Sequence, residues 1–541
     1  MILGMAVAVL AAGLALFMAG TRSVAYALFY LSFLPFLTLD PSQGGLVSID
    51  GLEGGNVAWK LGVRAIATLG IAVLGYRRRG EVFALLARPA SLPVLGLFAW
   101  AVIGLPRAQD PWVSFFRLGE LLAFFVTGVV LATEVGARHD REPGRGGIAP
   151  GDVVRRHALA LLPVLISAIA FSVLHPEIAF HESTSGVRRM GHKFMNSNVL
   201  GFSSTVVFLW AVSALRARWA LHLGADPATN SRRERLREVT VALVALGLAS
   251  YVLYHSRSRT ASITALGGLA ILFLPWRAPR SSGETATMSP GVSADMARLA
   301  SLRRIGAVIA ACLVLAVFAT SIGTIEEWFM RGGTSADIAS GTGRTGLWHD
   351  LLLVQVPKAP LVGAGYLNLS SAGGFEHAGH AWNNAHNTYL FALVSTGLPG
   401  FLCVLSIVAW PLLVAFQRAF RPLPGSSPAE RLRSALDQEA WTLLFALQVI
   451  VAISGITGFG VAGYPNVAML FHYGLFAWVL SPASTAHASE AIGASTDATC
   501  SARQSAVPFA APPAATATRL RSAVPRLTRA VRGPQIPRSV R

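Results

Sequence analysis

Charge is scarce in this chain. Asp, Glu, Lys and Arg make up 13% of its 541 residues, about half the share of a soluble globular domain. So little charge cannot cover a water-facing surface, which excludes an ordinary soluble enzyme. Acids are scarcer than bases: 27 Asp and Glu stand against 45 Lys and Arg, a net charge of +18. Cysteine is limited to Cys312, Cys403 and Cys500. The first two fall in apolar runs and the third in a polar stretch, so they suggest no disulfide framework. A nucleotide-phosphate loop, a trusted Ser-His-Asp order and a nucleic-acid motif are also missing. The basic excess is therefore expected to face anionic membrane lipids and not nucleic acid.

What the chain has in plenty is apolar length. Hydrophobic residues are 53% of it. Runs approaching the roughly 20 residues that cross a bilayer lie near 3–20, 24–39, 61–75, 91–105, 118–133, 157–174, 198–215, 239–254, 260–275, 305–322, 388–416, 440–460 and 466–481. The expected fold is all-α: a polytopic membrane helical bundle of about 12–13 transmembrane helices. Residues 1–481 would form the membrane domain, with residues 323–387 as its large loop. Residues 482–541, rich in Ala, Ser, Thr and Pro with scattered Arg, read as a disordered basic cytoplasmic tail. No basic residue precedes the first apolar run, so that run is expected to be retained and not cleaved.

Arginine clusters set the orientation. They crowd the connections around Arg77–Arg88, Arg138–Arg156, Arg216–Arg237, Arg277–Arg304 and Arg418–Arg433. Between them lie poorer connections at about 40–60, 106–117, 175–197, 255–259, 323–387 and 461–465. Positive loops stay in the cytoplasm, so the poorer ones, the large loop included, are expected to face outward.

Cations that break this pattern carry information. Arg257 and Arg259 stand in YHSRSRTASITALGG, at the outer boundary between two spans. They could snorkel from lipid to water, or grip phosphate oxygens through paired N–H donors. Arg344, in GTGRTGLW, is either a solvated loop residue or a third anion-binding group. Gly363 and Gly365, in PLVGAGY, make a turn that could admit a ligand to the backbone or be an ordinary loop turn. His386 opens HNTYLFALVSTGLPG beside Asn387. Its imidazole titrates near neutrality and could take a proton from a hydroxyl arriving from water; equally, it could be a residue bonded locally at a helix start. His377 and His380 nearby raise zinc, but the three spacings match no recognised zinc pattern. In GHKFMNSNVLGF, Lys193 could add charge to an anion site, while Asn196 and Asn198 could cap the helix that follows.

Together, GTGRTGLW, PLVGAGY and HNTYLFALVSTGLPG in one large outward loop resemble the signature region of the O-antigen ligase and O-antigen polymerase superfamily. SRT at Ser258–Thr260 and the GHKFMNSNVLG stretch are similar to that family's pattern as well. The resemblance covers about 190–400 most strongly. It implies a C-type glycosyltransferase-like bundle in the bacterial inner membrane with its active face periplasmic. It also implies an undecaprenyl-diphosphate-linked glycan donor, a lipid A-core or other glycan acceptor, and no cofactor or metal. By the same resemblance, Arg259 and Arg344 would hold the diphosphate, with Arg257 added by adjacency, and His386 would activate the acceptor. Lys193, Asn198, Gly363, Gly365 and Asn387 are candidate substrate contacts. A repeat-unit polymerase shares donor and base and differs in acceptor. A small-anion transporter is the competing class, but it favours polar groups near the midplane, whereas here they gather at the outer surface. A docking scaffold would give no reason for arginines at the lipid boundary.

Overall fold

The structure is a computed structural model. It describes residues 39–40, 45–46, 72–73, 75–108, 111–141, 150–182, 188–191, 197–224, 232–273, 344–366, 375–377, 380–382, 385–420, 428–458 and 467–480. The apolar runs at 3–20 and 305–322, nearly all of 24–39 and 61–75, and the stretch from 482 onward lie outside these residues.

The longer helices among the described residues are α1 (Arg79–Leu86), α2 (Leu92–Gly104), α3 (Pro111–Arg141), α4 (Pro150–Leu174), α5 (Ser197–Gly224), α6 (Arg232–Ser256), α7 (Arg259–Phe273), α8 (Arg344–Asp350), α9 (Thr388–Phe420), α10 (Pro428–Thr457) and α11 (Val467–Leu480). Short antiparallel pairs join β1 (Leu39–Asp40) to β2 (Gly45–Leu46), β3 (Phe180–Glu182) to β4 (Arg188–Met190), and β5 (Phe375–His377) to β6 (His380–Trp382). Among the described residues, six helices are long and apolar enough to cross a membrane: Pro89–Arg107, Gly151–Leu174, Ser197–Ala217, Leu236–Ser256, Thr388–Phe420 and Leu436–Ile456. The protein is an all-α polytopic membrane protein.

Helix α5 is the hub, packed against α4, α6, α7, α10 and α11. Leu200, Val206, Val207, Leu209 and Ala211 on it are fully buried. Its buried hydroxyls bond back along the helix, Ser203 to the Val199 carbonyl and Ser204 to Leu200, so these two hydroxyls are satisfied within the apolar core. At one end of the bundle Arg216 reaches Glu439 at 3.2 Å and donates to the Leu272 carbonyl. At the same end Gln438 donates to the Ala419 carbonyl and Arg418 lies over Trp441. These contacts tie the ends of α5, α7 and α9 to the start of α10.

The other end carries a broken helix. Within α9 the sequence reads STGLPG, and Gly397 takes a non-helical backbone with φ 67°. Pro399 has no N–H, so the Ser395 carbonyl four residues earlier loses its helical donor. The turn 360–366 repairs the break. Ala364 donates to the Val394 carbonyl at 2.8 Å, Gly365 to Ser395 at 3.1 Å, and Leu398 to Pro360 at 2.8 Å. Unpaired backbone in an apolar setting costs several kcal/mol, so the two motifs need one another. Trp100 on α2 donates to the Leu361 carbonyl at 2.8 Å, and Ser114 on α3 to Tyr366 at 2.5 Å.

Glycine is required at the junction. A Cβ on Gly397 would lie 2.3 Å from the Leu361 oxygen. Gly397→Ala is expected to cost about 1–3 kcal/mol from backbone strain alone, with the clash added. A lower thermal midpoint in detergent would show it. Gly247→Ala, where a Cβ meets open space, is the control expected to hold its midpoint.

Candidate functional site

The turn between α6 and α7 carries Ser256, Arg257, Ser258 and Arg259. Ser258 is buried and caps α7: its Oγ accepts the Ala261 N–H at 3.4 Å and donates to Asn198 Oδ1 at 2.9 Å. The turn docks closely because α5 presents Gly201, where a Cβ would fall 2.7 Å from Ala261 Cβ and 2.8 Å from Ser258 Cβ. Arg257 has φ 46° and His386 φ 50°, the non-glycine residues with positive φ among those described. Such backbone strain gathers at functional sites, and here it falls on two of the candidates.

Arg189 approaches from β4, paired with His181 of β3. Its guanidinium donates to the Ser256 carbonyl at 3.3 Å, Ser197 Oγ at 2.5 Å and Asn198 Oδ1 at 3.5 Å. These acceptors are neutral, so they aim the fork without neutralising it.

Arg344 opens α8, and Trp348 lies one turn further along the same face. The Trp348 indole donates to the Ala385 carbonyl at 2.8 Å, which ties the residue before His386 to the helix that carries Arg344. Beyond it, Asn387 caps α9: its Oδ1 accepts the N–H groups of Tyr389 and Leu390, each at 3.0 Å. Tyr389 then anchors α9 to α10 through the Ala452 carbonyl at 3.0 Å.

These side chains act on one another. Burial, then the charges of Arg259 and Arg344, push Arg189 down to about 10. Burial and the Arg259 charge lower Arg344 as well. Burial, then the Arg344 charge, hold His386 at about 4. Arg189, Arg259, Arg344 and His386 thus form one cluster at one end of the bundle, opposite the Arg216–Glu439 pair. Partly dehydrated like charges repel, and an anion among them relieves that repulsion. His386 is neutral at physiological pH, which leaves a ring nitrogen able to accept a proton.

Of the residues singled out by sequence, Arg259, Arg344 and His386 come together. Arg257 stands on the Arg259 turn, close enough for its charge to act on His255. The Asn198 oxygen links Arg189 to Ser258. Asn387 does spend its oxygen on a cap. Gly363 and Gly365 permit close approach, but to protein backbone: a Cβ at Gly363 would meet Ser395 at 2.4 Å, and one at Gly365 would meet Ala108 at 2.5 Å. That approach expresses the repair of α9. His377 and His380 face each other in register across β5 and β6. Lys193 lies outside the described residues. Sequence reasoning missed Arg189, because its connection counts as arginine-poor; the adjacent pair Arg188–Arg189 was the available signal.

Fold and cluster together define a polytopic helical membrane protein with buried cations beside a neutral imidazole at one end of its bundle. Residues 242–405 match the family described as O-Antigen ligase, and through that stretch the chain is similar to O-antigen ligases. The match contains Arg259, Arg344 and His386, while Arg189 lies ahead of it. A search of curated proteins gave no match.

Proposed function

We propose that the protein is a ligase-type glycosyltransferase. It moves a glycan from undecaprenyl diphosphate to a hydroxyl of lipid A-core or another acceptor, at the periplasmic face of the inner membrane. The observation that carries this reading is the linked set of Arg189, Arg259 and Arg344, with Arg344 acting on His386, at the end of the bundle away from the Arg216–Glu439 pair. The acceptor oxygen attacks the anomeric carbon as the bond from that carbon to the diphosphate oxygen breaks. Undecaprenyl diphosphate leaves with the electron pair, and the hydroxyl proton passes to a ring nitrogen of His386. Attack from the face opposite the leaving group inverts the anomeric centre. Fixed guanidiniums stabilise the charge that gathers on the diphosphate, the part a metal ion plays in other glycosyl transfers.

Three guanidiniums are more charge than a monoanionic solute needs, and they suit a diphosphate. The donor's polyprenyl chain stays in the bilayer, which accounts for a cluster at the end of apolar helices.

Gene deletion followed by gel analysis of surface glycan tests the reading. Loss of all polymer from lipid A supports a ligase. A single capped repeat would identify a polymerase using the same cluster. Unchanged glycan with altered solute uptake would overturn enzymatic function. Transfer by the purified protein is expected to survive a chelator; a loss restored by magnesium or zinc would show that the arginines do not suffice.

A further inference from the structure

The segment after α8 has an odd surface for a loop. Leu352, Leu353 and Val354 follow one another and are 45%, 63% and 46% exposed, and Leu361 is 61% exposed. Successive residues of an α-helix point about 100° apart, so three exposed in a row mean a helix held on one side only. The holding side is Leu347 and Leu351, each 1% exposed. A widened π-helical turn, Leu351–Gln355, spreads the exposed side chains into one apolar face.

The surroundings of this face fix what it meets. The Leu361 carbonyl accepts from Trp100, which lies seven residues before Arg107, the end of the span Pro89–Arg107. At 1.5 Å per residue, Leu361 is held about 10 Å inside the end of that helix. Leu361 also abuts Gly397 of α9, so two apolar helices set its level independently. Ile103 on α2 and Leu398 on α9 are exposed at 55% and 47%, and they continue the apolar surface onto spans that face lipid. Exposed cations, Arg107 and Lys358, stand at the edges, where lipid phosphates complement them.

We propose that Leu352–Leu361 is an interfacial foot, inserted at the headgroup–acyl boundary of the leaflet on the cluster side, with bilayer phospholipid as its partner. An interfacial element buries its apolar face about 5–10 Å into that boundary, which matches the level set by Trp100. Arg344 opens the helix that leads into the foot. By helical rise it stands about 12 Å along the axis from Leu352, so the foot holds one cation of the cluster at a set height above the lipid. Part of the large loop is then membrane-embedded and not aqueous.

Depth-resolved quenching tests this without measuring transfer, so its failure is separable from failure of the enzymatic reading. Cys312, Cys403 and Cys500 are replaced by Ala, and Leu353→Cys and Leu361→Cys are each labelled with a polarity-sensitive fluorophore. The full chain is reconstituted in phosphatidylcholine vesicles carrying spin labels at the fifth or the twelfth acyl carbon. Both positions are expected to give blue-shifted emission, with a greater loss from the shallow quencher than from the deep one. Glu177→Cys, at an exposed site beyond α4, is expected to stay unquenched. Water-like, unquenched emission at the Leu positions would overturn the foot. Stronger quenching from the deep label would overturn its interfacial depth. If one labelled variant fails to fold, the other carries the test.

Discussion

Replacing His386 with Ala is expected to cut glycan transfer about 10²–10⁴-fold, the usual worth of a general base, while the protein still inserts and folds. The side chain is well placed for that loss to be chemical. The fold around it is carried by neighbours: Ala385 takes the Trp348 hydrogen bond and Asn387 provides the cap. Residue 386 itself contributes a strained backbone, φ 50°, and an imidazole beside Arg344. Normal transfer by the variant would remove His386 as the base. The pH dependence makes the assignment sharper. The ring is held at about 4, below its ordinary value of 6.5, by burial and then by Arg344. A depressed value means neutrality above about pH 4 and protonation below it. The acid limb of kcat/KM, which reports the free enzyme, should therefore lie well below the ordinary histidine range. A bound diphosphate offsets the Arg344 charge and favours imidazolium, so the limb of kcat should sit at higher pH than that of kcat/KM. Coincident limbs near the ordinary value would show that neither burial nor Arg344 governs the ring.

Much of this was legible from sequence because membrane spans announce themselves locally. Apolar length alone predicted α2 to α7 and α9 to α11, and the resemblance selected Arg259, Arg344 and His386. What escaped was non-local. STGLPG within α9 shows that a helix could break, but the donors that repair it come from residues 360–366, and nothing local identifies PLVGAGY as their source. The same glycines invite a ligand-binding reading from sequence, and only the fold shows that Ser395 and Ala108 pack beside them. Arg189 escaped for a related reason. Its connection looks arginine-poor, and its orientation depends on Ser197, Asn198 and Ser256, from the ends of two other helices. Asn198 could be read as a cap from its position, and only the fold shows its oxygen between Arg189 and Ser258.

The second large effect is expected at Arg344, where charge and geometry can be separated. Arg344→Gln removes both the cation and the planar fork. Removing one preorganised donor to a developing oxyanion costs about 10²–10³-fold in kcat, and a comparable loss is expected here. Arg344→Lys keeps a positive charge but offers a single ammonium in place of the paired N–H donors. Its transfer should fall between wild type and Arg344→Gln. Full activity in the Lys variant would argue against a two-pronged phosphate contact. The two substitutions should also differ at His386. Arg344 lowers that imidazole through its charge, so Gln should let the ring rise toward 6.5 and move the acid limb of kcat/KM upward. Lys should leave the limb close to its wild-type position. A limb that moves equally in both variants would mean that His386 senses a change of packing. A limb that moves in Gln alone would tie the base to the diphosphate site through one charge, which is the coupling the proposed mechanism requires. Arg189→Lys gives a parallel comparison from the opposite side of the cluster. Lys keeps the positive charge but not the planar fork, so transfer should fall while the limb of the free enzyme stays in place.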